Sequence, residues 1–250
     1  MSAKEPLPGT RPEGTRTEAE AAQAVRVMFS RIAPRYDLLN RLLSFSFDRG
    51  WRRRAAQAVA AQLGSPESRA LDLCCGTADL ALELCHVSRG AVVGSDFAHP
   101  MLARARQKAA QRQAALALVE ADALQLPFAE ASFDVVAAAF GFRNLANYRQ
   151  GLTEIHRVLK PGGEVAILDF AMPERGAFAA FYNLYFHYAL PFVGRVISGV
   201  RGPYSYLPAS VEKFPGCEEL GRWMEAAGFT AVRWELWTSG AVALHRGRKA

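Results

Sequence analysis

Leu71-Asp72-Leu73-Cys74-Cys75-Gly76-Thr77-Ala78-Asp79 is the stretch whose reading decides the fold. It opens as an apolar run holding one acid, passes through a turn of small residues and enters a helical pattern at Leu80. A short strand that turns tightly into a helix is the first unit of an open α/β sheet, and such a turn lies where backbone N–H groups can approach a nucleotide-like ligand. Downstream the unit repeats. Apolar runs at 70–73, 91–96, 116–120, 133–139 and 164–170 predict five strands, with helical patterns at 80–86, 100–112 and 148–159 between them. Near-continuous apolar runs alternating with helices belong to a parallel sheet covered on both faces. Pro161-Gly162-Gly163 predicts the turn into the fifth strand. A helix over 217–227 and two last runs, 231–237 and 242–245, separated by Ser239-Gly240, predict a closing antiparallel hairpin.

Upstream of the sheet, Val25, Met28, Phe29 and Ile32 recur at helical spacing, and Pro34 limits that helix. Leu38, Leu39, Leu42 and Leu43 continue the pattern, and Trp51 leads through Arg52, Arg53 and Arg54 into an alanine-rich segment ending near Gly64. Residues 25–64 therefore predict a helical cover, and residues 1–24, rich in Pro, Gly, Thr and charge, a disordered tail. At about 100–200 residues per domain, 25–250 reads as a single domain. The Arg52–Arg54 cluster reads as a solvated helix face.

The composition is that of a globular chain: 250 residues, 50% hydrophobic and 22% charged, with 20 Gly and 13 Pro. It excludes collagen-like, coiled-coil and wholly disordered classes. A net charge of +6 suits an anionic partner without choosing among nucleic acid, acidic lipid and phosphorylated small molecules. Four cysteines, two of them adjacent, make neither a disulfide framework nor a C-x-x-C metal site, and a reducing cytoplasm fits. The five histidines share no ligand-like spacing, so no metal is expected. The 19 residues of 176–194 hold no Lys, Arg, Asp or Glu, but Asn183, His187, Pro191 and three tyrosines make a poor membrane span.

The dinucleotide fingerprint G-x-G-x-x-G is absent from the first turn. In its place Asp72 is followed by Cys74, Gly76 and Ala78 at alternating positions, a variant of the acidic-x-G-x-G-x-G loop of S-adenosylmethionine enzymes with two glycines replaced. Asp96 closes the second strand 24 residues after Asp72, near the spacing at which a carboxylate takes the hydroxyls of an adenosine ribose, although it also stands where a helix cap would. Glu120-Ala121-Asp122-Ala123 follows the third strand.

Taken together the residues resemble the ubiquinone/menaquinone biosynthesis C-methyltransferases, within them most closely the members acting on demethylmenaquinol. The resemblance runs from about Phe29 to Arg248. It rests on Tyr36-Asp37-Leu38-Leu39-Asn40 with Ser44 and Trp51, on Phe140-Gly141-Phe142-Arg143-Asn144, and on Arg157-Val158-Leu159-Lys160-Pro161-Gly162-Gly163. Tyr206-Leu207-Pro208 with Ser210, Val211, Phe214 and Pro215, and Ala241-Val242-Ala243-Leu244-His245-Arg246-Gly247, complete it. It implies a Rossmann-like class I S-adenosylmethionine-dependent methyltransferase fold, with a mainly parallel seven-stranded sheet and a C-terminal antiparallel hairpin. It implies S-adenosyl-L-methionine as cofactor, held by Gly76, Thr77, Asp96, Asp122 and Ala123, with Asp122 addressing the adenine amine. Ala139 in place of a serine, Asp48 in place of a histidine, and Asp169 with Ala171 in place of Glu and Ser depart from the family pattern.

The implied reaction moves a methyl group to a ring carbon of a prenylated quinol, demethylmenaquinol giving menaquinol or, alternatively, a 2-methoxy-6-polyprenyl-1,4-benzoquinol. That carbon is nucleophilic only when an adjacent hydroxyl is losing its proton. A phenol has a pKa near 10, which a nearby cation lowers. Arg143 is expected to supply that charge and Asn144 a hydrogen bond, since a guanidinium is a poor proton acceptor. Asp37, Tyr36 and Asp48 are conceivable acceptors through water. Phe178, Phe181, Tyr185, Tyr188 and Phe192, beside Arg195 and Arg201, mark an aromatic insert at about 176–210 that would face the substrate or the membrane surface. A cytoplasmic protein in peripheral contact with the membrane, with no nucleic-acid partner and room for a homodimer, follows from the same resemblance. A nicotinamide-dependent oxidoreductase would want the missing glycine fingerprint, and an RNA methyltransferase an Asn-Pro-Pro or Pro-Cys signature that the chain lacks.

Overall fold

The computed structural model describes residues 9–44, 46–173 and 203–250. The aromatic residues from Phe178 to Phe192, with Arg195 and Arg201, lie outside them. Seven strands form one sheet: β1 (Arg69–Leu73), β2 (Ala91–Asp96), β3 (Leu116–Glu120), β4 (Phe133–Ala139), β5 (Leu159–Phe170), β6 (Phe229–Trp237) and β7 (Val242–Lys249). Their order is β3-β2-β1-β4-β5-β7-β6. Neighbours from β3 to β5 pair in parallel, and β7 runs antiparallel to both β5 and β6. This is the mainly parallel sheet with a closing hairpin that the sequence implies.

Strand alternation sends successive side chains to opposite faces, and at the central strands β1, β4 and β5 both faces are buried. Val136 and Ala138 of β4 join one core with Leu71, Leu73, Val165 and Ile167. Val135 and Ala137 join the other with Ala70, Ala166 and Leu168. Tyr148, Leu152 and Ile155 of α6 (Tyr148–Val158), with Leu220 and Met224 of α8 (Cys217–Ala226), cover the first face. Ala55 and Ala56 of α3 (Phe47–Ala58) and Ala81 and Leu84 of α4 (Asp79–Val87) cover the second. The remaining elements are α1 (Glu18–Ile32), α2 (Tyr36–Leu43), α5 (His99–Gln111) and α7 (Pro203–Glu212).

Two boundaries differ from expectation. Pro161-Gly162-Gly163 does not break the chain before β5. Leu159 already pairs with Phe133, and the three residues form an irregularity after which pairing resumes at Glu164 with Val135. The second boundary lies within 1–24, the stretch expected to be a disordered tail. α1 begins at Glu18, where the Thr17 side chain accepts the Glu20 N–H and the Glu20 carboxylate accepts the Thr17 N–H. This reciprocal cap satisfies donors that a helix start leaves orphaned. The signal Thr17-x-x-Glu20 stands in the sequence, but polar surroundings hide it from a search for apolar periodicity.

Candidate active site

Strand order reverses between β1 and β4, and at such a point the loops beyond the carboxyl ends diverge and leave a crevice. A cavity occupies it, floored by the loops after β1, β2 and β4 and roofed by the cover helices. The floor is strained at the positions where the acidic-x-G-x-G-x-G loop of S-adenosylmethionine enzymes has glycines. Cys74, Gly76 and Ala78 all adopt the left-handed conformation, with φ of 54°, 54° and 69°. Only Gly76 does so freely; the other two bear a cost of about 1–2 kcal/mol each. The substitutions therefore keep the loop shape rather than abolish it.

Asp96 ends β2 with its side chain buried at the cavity wall. One carboxylate oxygen accepts the Gly76 N–H at 2.9 Å and the other the Ala98 N–H at 2.9 Å. The acid thus ties two loops together and also helps to start α5. A carboxylate oxygen has two lone pairs, so each keeps one to offer a hydroxyl. Burial pushes the Asp96 pKa up to about 6, against the pull of the Ala98 and Gly76 N–H groups. Asp72, at the end of β1, is 1% exposed and accepts the Ala81 N–H at 2.7 Å. Burial pushes its pKa up to about 8. Asp122 stands at the rim, its Oδ1 accepting the Leu124 N–H, with the buried Ala123 beside it.

Thr77 is buried in the cavity wall, but its hydroxyl is already engaged. It donates to Asp37 Oδ1 at 2.6 Å and receives Lys108 Nζ at 3.1 Å. Lys108 also reaches Asp37 at 3.1 Å and Asp79 at 2.5 Å. These four side chains latch α2, the β1 loop and α5 together, which fixes the roof and occupies Asp37.

The reading of 52–54 as a solvated face holds for Arg53 and Arg54, which are exposed, and fails for Arg52. Arg52 is 5% exposed, lines the cavity and stands over the Phe140 ring at 5.2 Å. It pairs with Asp48 one turn earlier, and Asp48 also accepts the Ser44 hydroxyl at 2.6 Å. Burial alone would raise the Asp48 pKa; the Arg52 charge and the hydrogen bonds from Ser44 and Arg52 outweigh it and hold the group below its ordinary value. Asp48 is thus a counterion rather than a proton acceptor. Tyr36 lines the cavity too, and burial raises its pKa, so it keeps its proton.

Arg143 and Asn144 follow β4 in a single helical turn, and they part company. Asn144 lines the cavity. Arg143 lies beneath it: Nη1 reaches Asp169 Oδ1 at 2.9 Å and donates to the Phe140 carbonyl, while the Arg143 backbone N–H meets Asp169 Oδ2 at 3.1 Å. The guanidinium packs over Phe170 at 5.1 Å, and its buried Nε has no hydrogen-bond partner among the described residues. Arg143, expected to supply charge to the substrate, thus has Nη1 committed to protein partners and is not among the residues that line the cavity. Its charge is neutralised by Asp169, one of the positions at which the sequence departs from the family pattern. Among the described residues no cluster of His, Cys, Asp or Glu could hold a metal, and no helix is long and apolar enough to cross a membrane.

A family model described as the ubiE/COQ5 methyltransferase family matches residues 16–249. A Thermus thermophilus protein described as demethylmenaquinone methyltransferase is 55% identical over 221 residues, 88% of this chain and 99% of the relative. A Deinococcus radiodurans protein of the same description is 49% identical over 231 residues, 92% of this chain and 94% of the relative. Among solved structures, a methyltransferase from Thermotoga maritima described as a possible histamine N-methyltransferase superposes with a TM-score of 0.63 at 18% identity. It covers 90% of this chain and all of its own, a likeness of fold alone.

Proposed function

Because the chain belongs to the ubiE/COQ5 methyltransferase family, we propose that it methylates a ring carbon of demethylmenaquinol, with S-adenosylmethionine as donor. The observation that carries this reading is the cavity at the sheet's switch point, where two buried carboxylates and one buried guanidinium converge on a space with an aromatic wall. Its donors and acceptors fit the cofactor. Asp96 takes the ribose hydroxyls on its remaining lone pairs, and Asp122 takes the adenine amine while Ala123 leaves room for the ring. Asp72 and Arg52 suit the ammonium and carboxylate of the methionyl end, and Gly76 and Thr77 shape the floor between them. A charge-assisted hydrogen bond contributes about 1.5–3 kcal/mol. On that basis Arg52→Gln is expected to weaken S-adenosylhomocysteine binding roughly tenfold to a hundredfold by calorimetry; unchanged affinity removes Arg52 from the site.

When bound, the cofactor supplies an electrophilic methyl group on a sulfonium. Phe140 and Tyr36 offer a flat quinol ring aromatic surface, and Asn144 a hydrogen bond to the oxygen next to the reacting carbon. Arg143, tied to Asp169 and the Phe140 carbonyl, holds the turn that presents Asn144. As the ring carbon takes the methyl group, the carbon–sulfur bond breaks, S-adenosylhomocysteine leaves and the ring loses one proton to solvent. Alignment of the two reactants in the cavity accounts for a large part of such an acceleration, with no dedicated base needed. The prenyl tail of the substrate favours peripheral contact with a membrane from the cytoplasmic side, and a homodimer is compatible with the same reading.

Incubation with labelled S-adenosylmethionine and reduced demethylmenaquinone, beside its benzoquinol counterpart, is the test. Label is expected in menaquinol. Label only in the benzoquinol product would move the substrate to the ubiquinone series, and binding of NADH without S-adenosylhomocysteine would overturn the proposal altogether.

A further inference from the structure

Residues 9–11 precede the stretch shared with the family, yet they are pinned against the rim of the cavity. Thr10 N–H donates to the Leu145 carbonyl at 2.8 Å, and Arg11 Nη1 to the Ala146 carbonyl at 2.7 Å. Leu145 and Ala146 both line the cavity. Gly9 lies so close that a Cβ there would collide with the Ala146 carbonyl, a contact no side chain could make. Glu18, in the first turn of α1, closes the loop: it pairs with Arg11 at 3.6 Å and accepts Asn147 Nδ2 at 3.2 Å.

The buried Thr10 also begins a side-chain relay. Its hydroxyl lies 3.0 Å from the Tyr206 hydroxyl, which donates to Asn144 Oδ1 at 3.0 Å. With the Tyr206 proton committed to Asn144, the Thr10 hydroxyl is the donor of the first bond. Burial raises the Tyr206 pKa, so that proton stays in place at neutral pH. An amide whose oxygen is held in this way turns its Nδ2 away from the relay. One of the two Nδ2 protons faces the Phe140 carbonyl at 3.4 Å, which leaves the other for a ligand.

We propose that residues 9–11 form a clasp over the reacting end of the cavity, and that Thr10 and Tyr206 are positioning residues that set the Asn144 amide toward the quinol oxygen. The role rests on the methyl transfer proposed above. Three chain segments far apart in sequence meet in the relay, and only one of them, the turn after β4, lines the cavity among these contacts.

The test compares Thr10→Val, Tyr206→Phe, their double variant and Thr10→Ser in full-length protein. Misplacing a group that aligns the reaction lowers kcat, so each of the first two is expected to lose about tenfold in kcat. The double variant should lose no more than the worse single one, because one relay is broken once. Thr10→Ser, which keeps the hydroxyl, should restore turnover, and KM for the donor and the calorimetric affinity for S-adenosylhomocysteine should stay within about twofold throughout. Unchanged kcat in Tyr206→Phe, multiplying losses in the double variant, or a parallel fall in S-adenosylhomocysteine affinity would overturn the relay. Limited digestion with a glutamate-specific protease reads the clasp without any substrate: cleavage after Glu13, two residues beyond Arg11, should be slow in the parent and faster in Tyr206→Phe, and equal rates would overturn the clasp. Should the parent methylate no quinol, the assignment of function fails, while the digestion still decides whether the clasp exists.

Discussion

Arg143→Ala is expected to lose about 3–5 kcal/mol of stability along with its turnover, because it strips the counterion from a buried carboxylate. Asp169 is 2% exposed and draws both the guanidinium and the backbone N–H of Arg143. For a chain of this size the loss corresponds to a fall in Tm on the order of 10 °C. A drop in activity in this variant alone would therefore say nothing about chemistry. The informative partner is Arg143→Met combined with Asp169→Leu, which removes both charges together. Replacing a buried pair with apolar groups of similar volume is often neutral, so this double variant should regain most of the lost Tm. Its kcat should nevertheless stay at least about tenfold down, since the Phe140 carbonyl loses a donor and the turn that presents Asn144 loosens. A single variant with unchanged Tm and full turnover would remove Arg143 from both roles.

Binding of S-adenosylhomocysteine is expected to expel close to one proton at pH 7, and Asp72 is its source. In the protein without ligand, burial holds this carboxyl near a pKa of about 8, so it is mostly neutral at pH 7. An ammonium brought against it favours the anion and drives the proton off. Calorimetry at pH 7 in buffers of differing ionisation enthalpy reads the release, and a slope of zero would rule the exchange out. Asp72→Asn should abolish the release and weaken binding on the order of a hundredfold, as expected when a charge partner is lost. The same variant should melt higher than the parent at pH 8. A carboxyl that holds its proton more tightly when folded than when unfolded costs the fold its full penalty above the folded pKa. That cost fades as pH falls from about 8 towards the ordinary carboxylate value near 4. The advantage of the Asp72→Asn variant should therefore be largest at pH 8 and vanish near pH 4.

Much of the scaffold was legible without coordinates. The five parallel strands lie within a residue or two of where the sequence puts them, apart from the early start of β5, where pairing begins at Leu159 and not at Glu164. The acids Asp72, Asp96 and Asp122 are legible in the sequence because they stand at or just beyond strand ends, and strand ends are local features. The start of α1 is equally local but escapes the same reading, since its signal is a polar cap and not an apolar stripe. The three left-handed residues of the β1 loop show the limit of reading residue types: Cys74 and Ala78 hold a conformation that their identities argue against.

The chain's own order of residues determined the strand–helix alternation, the loop beyond β1 and the carboxylates at the strand ends, because each depends on neighbours within a few positions. Which charges face the cavity and which face protein was decided only in three dimensions. Arg52 is buried at the cavity while Arg53 and Arg54 meet solvent, Arg143 is cancelled by Asp169, and Thr10 reaches Asn144 through Tyr206. The physical reason is that desolvation and ion pairing depend on every element packed around a group, and those elements lie tens to hundreds of residues away along the chain.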